Sequence, residues 1–145
     1  MSGSTPRRLS GSCLCGGVRF AVGGPLRDVF ECHCHRCRKT TGNFMAATAA
    51  PRSAINFLAD GTLRWFAPAD DPEVAYGFCE RCGSSLFWRH VGATDPDPSI
   101  SICAGALESP TGLRTTEVWF TDEAADHVTV TSGVPRHRGQ PSAGN

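Results

Sequence analysis

"VAYGFCERCGSSLFWRH", residues 74–90, sets the architecture of this chain. On each side of Cys79-Glu80-Arg81-Cys82-Gly83 stands a short run of aromatic and β-branched residues, the composition of strands rather than of helices. C-x-x-C-G is a knuckle: a tight turn aims both sulfurs at one metal ion, and the glycine lets the backbone fold back. Such a knuckle supplies two ligands and needs two more from elsewhere in the chain.

Working outward, segments of the same character recur on both sides. "VRFAV" (18–22), "DVFECHC" (28–34), "FMAATAA" (44–50) and "TLRWF" (62–66) precede it, and "SISICA" (99–104), "TEVWF" (116–120) and "HVTVTS" (127–132) follow. Turn signals in "GGPLR", "APADDP", "GATDPDP" and "ESPTG" separate them, and no window of a dozen residues carries a helical apolar stripe. The pattern predicts one mainly β domain of about eight or nine short strands, with helical turns only in "CRKTTG" and near "DEAAD". The domain is expected over residues 11–135, with 1–10 and 136–145 as flexible ends, because those ends are rich in Ser, Pro, Gly and Arg and poor in apolar residues.

Composition limits the function. A chain of 145 residues can bury a core of its own, so it does not need metal merely because it is small. Its 14 basic and 14 acidic residues cancel, which removes the electrostatic signature of a general nucleic-acid binder. There is no apolar run after the N-terminal arginines and no stretch of membrane-spanning length, so a cytoplasmic protein is expected. In a reducing compartment eight cysteines argue for metal more than for disulfides.

Seven of those eight fall into tight motifs: Cys13-Leu14-Cys15, then Cys32, Cys34 and Cys37 within "CHCHRC", then Cys79 and Cys82. Strand alternation puts Cys13 and Cys15 on one face, and likewise Cys32 and Cys34, so each pair can grip one ion. Cys13 and Cys15 complete the knuckle as four thiolates, a closed tetrahedral zinc site. Cys32, Cys34 and Cys37 remain as a set of three, and three protein ligands with a vacant fourth position is the arrangement of catalytic zinc. His33 or His35 could close that site as a fourth ligand, although alternation points both away from the face carrying Cys32 and Cys34, leaving them to solvent or to hydrogen bonds with the sulfurs. Iron is a further possibility at a sulfur-rich site, since ligand type alone does not fix the metal. Cys103 stands alone in an apolar strand and reads as a small buried hydrophobe. A thioredoxin-like reading of C-x-x-C fails, because the chain lacks the helix and the βαβ pattern that such chemistry uses.

"GSCLCGGVRFAV", "ECHCHRCRKTTGNF", "FCERCGSSLFW" and "ISICAGALE", in this order, resemble the glutathione-dependent formaldehyde-activating enzyme family, the CENP-V/GFA domain. The resemblance runs from Gly11 to Glu108 and more weakly to Pro135. It implies a zinc-bearing, Mss4-like fold of twisted antiparallel sheets, a structural zinc on Cys13, Cys15, Cys79 and Cys82, and a second, functional zinc on Cys32, Cys34 and Cys37. The activity it implies is that of a carbon–sulfur lyase, joining glutathione and formaldehyde to give S-(hydroxymethyl)glutathione. Arg38, Lys39 and Arg81, close to the cysteines, are candidates for binding an anionic substrate, with Arg36 beside them. Near the C-terminus the chain departs from the family pattern, with Glu117 where a histidine is usual and His127 near the usual tryptophan. The competing reading is a non-catalytic, zinc-stabilised binding module of the same fold.

Overall fold

The computed structural model describes residues 8–141 and is mainly β. Two sheets form it. The smaller holds β1 (Arg8–Ser12), β2 (Arg19–Gly23) and β5 (Ile55–Ala59), in the order β1-β2-β5. The larger holds β3 (Val29–Cys32), β4 (Met45–Pro51), β6 (Leu63–Phe66), β7 (Val74–Cys79), β8 (Ser85–His90), β9 (Ser99–Cys103) and β10 (Thr115–Trp119), in the order β10-β3-β4-β9-β8-β7-β6. Pairing is antiparallel except between β10 and β3, which run parallel, so a late strand lies beside the one that ends at Cys32. One α-helix, α1 (His35–Thr41), lies within "CHCHRCRKTTG", and a 3-10 turn at Thr121–Glu123 lies within "TDEAAD". Among the described residues no helix is long and apolar enough to cross a membrane.

Two apolar clusters position the sites. Leu9, Phe20 and Val22 of the small sheet meet Leu86, Phe87, Ile100 and Ile102 of the large one, with Phe20 and Phe87 ring centroids 5.1 Å apart. A second cluster gathers Phe30, Cys37, Met45, Ala47, Tyr76 and Trp119, where Phe30 and Trp119 stack at 4.1 Å. β4 is alanine-rich, and Ala47 in its middle is fully buried, leaving room for the larger side chains around it.

Three expectations are corrected. β1 and β5 were not anticipated: "RLSGS" has weak strand propensity and is held by tertiary pairing, Leu9 opposite Val22, while β5 rests on β2 with Phe57 opposite Phe20. "HVTVTS" alternates correctly yet forms no strand, because the outer edge of β10 is already taken by residues 135–137, through Val118 N–H to Pro135 O and His137 N–H to Val118 O. Segments expected to be loose are tied in. Residues 8–10 belong to β1, and 136–141 follow β10, with His137 Nε2 3.3 Å from the same Glu117 carboxylate that binds Arg27 at 2.7 Å and Trp119 Nε1 at 3.1 Å. The expectations for residues 1–7 and 142–145 lie outside the described residues.

Candidate metal centres

Cys13, Cys15, Cys79 and Cys82 meet, with all four sulfurs within 4.8 Å of one another. The path to this meeting differs from simple strand alternation. β1 ends at Ser12, so Cys13 and Cys15 stand in the turn that follows it, closed by Gly16 N–H to Cys13 O and by a left-handed Gly16 with φ +81°. Each sulfur there receives a backbone amide, Val18 N–H on Cys13 Sγ at 3.2 Å and Gly17 N–H on Cys15 Sγ at 3.4 Å. The knuckle mirrors this arrangement, with Gly83 N–H bonded to Cys79 O and Gly83 at φ +78°. Ser84 joins the two turns, accepting Leu14 N–H at 3.0 Å while its hydroxyl lies 3.2 Å from Cys82 Sγ. That hydroxyl, helped by nearby amides, brings Cys82 down to about 5, and the Thr62 hydroxyl, 3.3 Å from Cys79 Sγ, lowers Cys79 below its ordinary value.

These donors favour thiolates, the form in which cysteine binds metal. Sulfurs about 2.3 Å from a tetrahedral zinc stand about 3.8 Å apart. Cys13 and Cys15 are separated by 3.6 Å, and Cys15 and Cys79 by 3.7 Å, close to that spacing, so the four-thiol donor set suits such an ion. All eight cysteines are free thiols.

Cys32, Cys34 and Cys37 form the second cluster, again within 4.8 Å of one another. Here too the helix replaces the expected alternation: Cys32 closes β3, Cys34 caps α1, and Cys37 sits in its first turn. The Cys34 sulfur accepts the Cys37 N–H at 3.4 Å, the role an aspartate or serine usually fills at a helix start. Donation from Cys32, then from Cys37, holds the Cys34 thiol far below its ordinary value of 9.0, while the bond that Cys32 gives to Cys34 pushes Cys32 up to about 12. Cys37 is raised as well, first by its bond with Cys32.

Neither histidine joins the sulfurs, and the reason lies in their own partners. His33 is fully buried, with its ring 4.8 Å from Phe44 and its Nε2 3.4 Å from Glu31 Oε1. Glu31 in turn accepts the Thr131 hydroxyl at 2.8 Å, so Glu31 ties β3 to the C-terminal segment and its buried partner His33 serves neither solvent nor sulfur. His35 is exposed and reaches Glu123. Among the cations, Arg36 pairs with Asp70 and Asp71, Arg38 is half-buried with its Nε unpartnered among the described residues, and Arg81 lies exposed on the knuckle. Lys39 lines a cavity of about 160 Å³ beside Tyr76. Cys103, expected to be buried, is half-buried at the end of β9, where burial still raises its thiol to about 12. A larger cavity of about 490 Å³ touches Cys13 and Cys103 but none of the three-sulfur set.

Tyr76 escaped the sequence reading. Its hydroxyl lies 3.5 Å from Cys37 Sγ, yet the two are 39 residues apart. Burial, followed by the neighbouring Cys37 sulfur, lifts its ionisation well above the ordinary phenol range. The available signal was its place in "VAYGFC", three residues before a knuckle cysteine, although nothing in that spacing pointed to Cys37. Glu117 and His127, which depart from the family pattern, have other partners: Glu117 holds Arg27, Trp119 and His137, and His127 is exposed beside Asp126.

Fold and clusters together define a mainly β domain with two thiol-rich sites able to hold metal ions. Residues 8–123 match the family model described as glutathione-dependent formaldehyde-activating enzyme, and the chain belongs to that family. A Halomonas elongata protein named "Putative glutathione-dependent formaldehyde-activating enzyme" is 37% identical over 86 residues, which is 54% of this chain and 54% of that protein. The match thus spans about half the length of this curated relative. The crystal structure of a Rhodobacter sphaeroides protein superimposes with a TM-score of 0.56 at 20% identity, covering 88% of this chain and 98% of that one.

Proposed function

We propose that the chain is a zinc-dependent enzyme of carbon–sulfur lyase type that joins a small thiol to formaldehyde, with glutathione as the thiol named by its family. One observation carries the reading: one cluster offers four sulfurs and the other three, so only the second leaves a tetrahedral ion incomplete. Cys13, Cys15, Cys79 and Cys82 are the proposed structural ligands, and Cys32, Cys34 and Cys37 the proposed functional ones. Zinc held by the three would supply an open position at which a substrate thiol loses its proton more readily. In the overall step R–SH and H₂C=O give R–S–CH₂–OH: a C–S bond forms, the C=O π bond breaks, and the thiol proton ends on the aldehyde oxygen.

The protein's own groups serve this step by placement. Cys34 and Cys37 are fixed by the start of α1, and Cys32 by its pairing with Met45 on β4 and Trp119 on β10. The apolar cluster of Phe30, Met45 and Trp119 limits water around the sulfurs, which strengthens electrostatic contacts there. Lys39 is the proposed substrate-facing cation, because of the three candidates it alone lines the cavity at Tyr76. Three thiolates on a divalent ion would make the site anionic, and a nearby positive charge would offset the cost of receiving a fourth.

Metal analysis of the wild type beside Cys34→Ser, with thiol-plus-formaldehyde turnover on the same samples, tests this reading. Two zinc ions per wild-type chain, one per Cys34→Ser chain, and at least a 100-fold loss of turnover in the variant are expected. A folded wild type with two zinc ions and no turnover on any thiol–aldehyde pair would favour the binding module instead.

A further inference from the structure

We propose that the cavity beside Tyr76 is the chamber through which the thiol approaches the three-sulfur site, and that Tyr76, on its wall, positions Cys37 by a hydrogen bond. The inference rests on the reading of that site as the working one.

Geometry supports it. The cavity is lined by His35, Arg36, Lys39 and Thr40 of α1, the helix that carries Cys37, and by Phe66, Pro68, Asp70 and Tyr76; the three cysteines stand behind this wall, not in it. Two lining residues reach the cluster sulfurs: the Tyr76 hydroxyl lies 3.5 Å from Cys37 Sγ, and the Arg36 backbone amide donates toward Cys34. Tyr76 is buried and pairs with Trp88 on β8 and Phe66 on β6, so its backbone is fixed on both sides. A phenol keeps its proton at neutral pH, and beside a thiolate it donates O–H to sulfur. Such a bond to a ligand sulfur orients it and draws off charge, and removing a partner of this kind costs about 10- to 100-fold in metal affinity or activity. The cavity, of about 160 Å³, opens to solvent beside the exposed Phe66 and Thr40, so a thiol head can enter while the rest of a substrate stays outside. The remainder would lie over the rim, where Lys39 is exposed and has no ion pair among the described residues.

The chain has a single tyrosine, so 3-fluorotyrosine labelling gives one ¹⁹F resonance that reports this residue alone. Adding glutathione to the zinc-loaded, labelled protein is expected to shift that resonance. Thr40→Trp fills the chamber from an exposed position. It should abolish the shift and raise the KM for the thiol at least 10-fold while leaving the zinc content at the wild-type value. Tyr76→Phe keeps the ring and loses only the hydroxyl. It should release the three-sulfur zinc to a chromophoric chelator about 10- to 100-fold more readily, a change that packing alone would not produce.

A resonance indifferent to saturating glutathione overturns the chamber, and chelator competition identical to wild type overturns the hydrogen-bond role. A shift without turnover keeps the chamber and removes the lyase reading. Turnover without a shift does the reverse.

Discussion

Cys34 caps a helix with the same sulfur that the metal would use, so its geometry is set by backbone as well as by chemistry. Cys103 is the contrasting cysteine. Its thiol has no hydrogen bond among the described residues, and burial raises it to about 12 from an ordinary 9.0. The folded chain therefore keeps this proton at a pH where the unfolded chain has lost it, so stability is lost as pH rises from 9 toward 12. At pH 10 that loss is about 1 kcal/mol. Urea denaturation of the metal-loaded protein at pH 8 and pH 10 checks this: Cys103→Ala should lose less stability than wild type over the interval, and equal losses would dismiss the idea. At this scale the cysteines were legible as a four-and-three grouping that spacing favoured without excluding other partitions, and the structure brings the same groups together. Tyr76 and the buried His33–Glu31 pair were not, since each acquires its meaning from a partner that only tertiary packing supplies.

The turn after β1 and the short helix α1 show where local reasoning misassigned the cause. Strand alternation predicts the correct sulfur groupings for "CLC" and "CHC", yet both stretches leave the strand before their second cysteine, at Ser12 and at Cys32. Capping and glycine turns do the work that alternation was thought to do. α1 is only seven residues long and ends at Gly42, which adopts φ +81° and donates its N–H to Arg38 O at 2.8 Å. A Cβ at that position meets nothing within 4 Å, so Gly42→Ala tests backbone conformation alone. It should cost about 1 kcal/mol of stability while leaving zinc stoichiometry unchanged, as read by thermal unfolding and metal analysis together. Loss of the three-sulfur metal in this variant would show that the end of the helix, and not only its start, holds the site. β5 and the irregular "HVTVTS" were misread for one reason: an edge either gains or lacks a free neighbour, and sequence does not record which.

At the scale of the whole molecule, β7 links the two centres, carrying Tyr76 toward one and Cys79 into the other. The two clusters should nevertheless fail differently. Cys79→Ser should lower the melting temperature by more than 10 °C, because an ion at that site joins the first turn to the middle of the chain, whereas Cys34→Ser should shift it by only a few degrees. Equal shifts, measured by thermal unfolding, would contradict the division into structural and functional sites. The mainly β character was legible from the strand-like segments, while the sheet order was not, because β10 returns to pair with β3 across more than eighty residues. Sequence separation also gives the two clusters different standing in the unfolded chain. Cys15 and Cys79 lie 64 residues apart, and an ion bridging them would close a loop whose entropy in the unfolded chain is worth about 4 kcal/mol, as a cross-link of that span does. The cluster at residues 32–37 closes almost no loop, so an unfolded or half-made chain can already offer its three sulfurs to an ion. Metal at that site would reach the protein before the fold exists and add little to stability, since folded and unfolded forms both bind it.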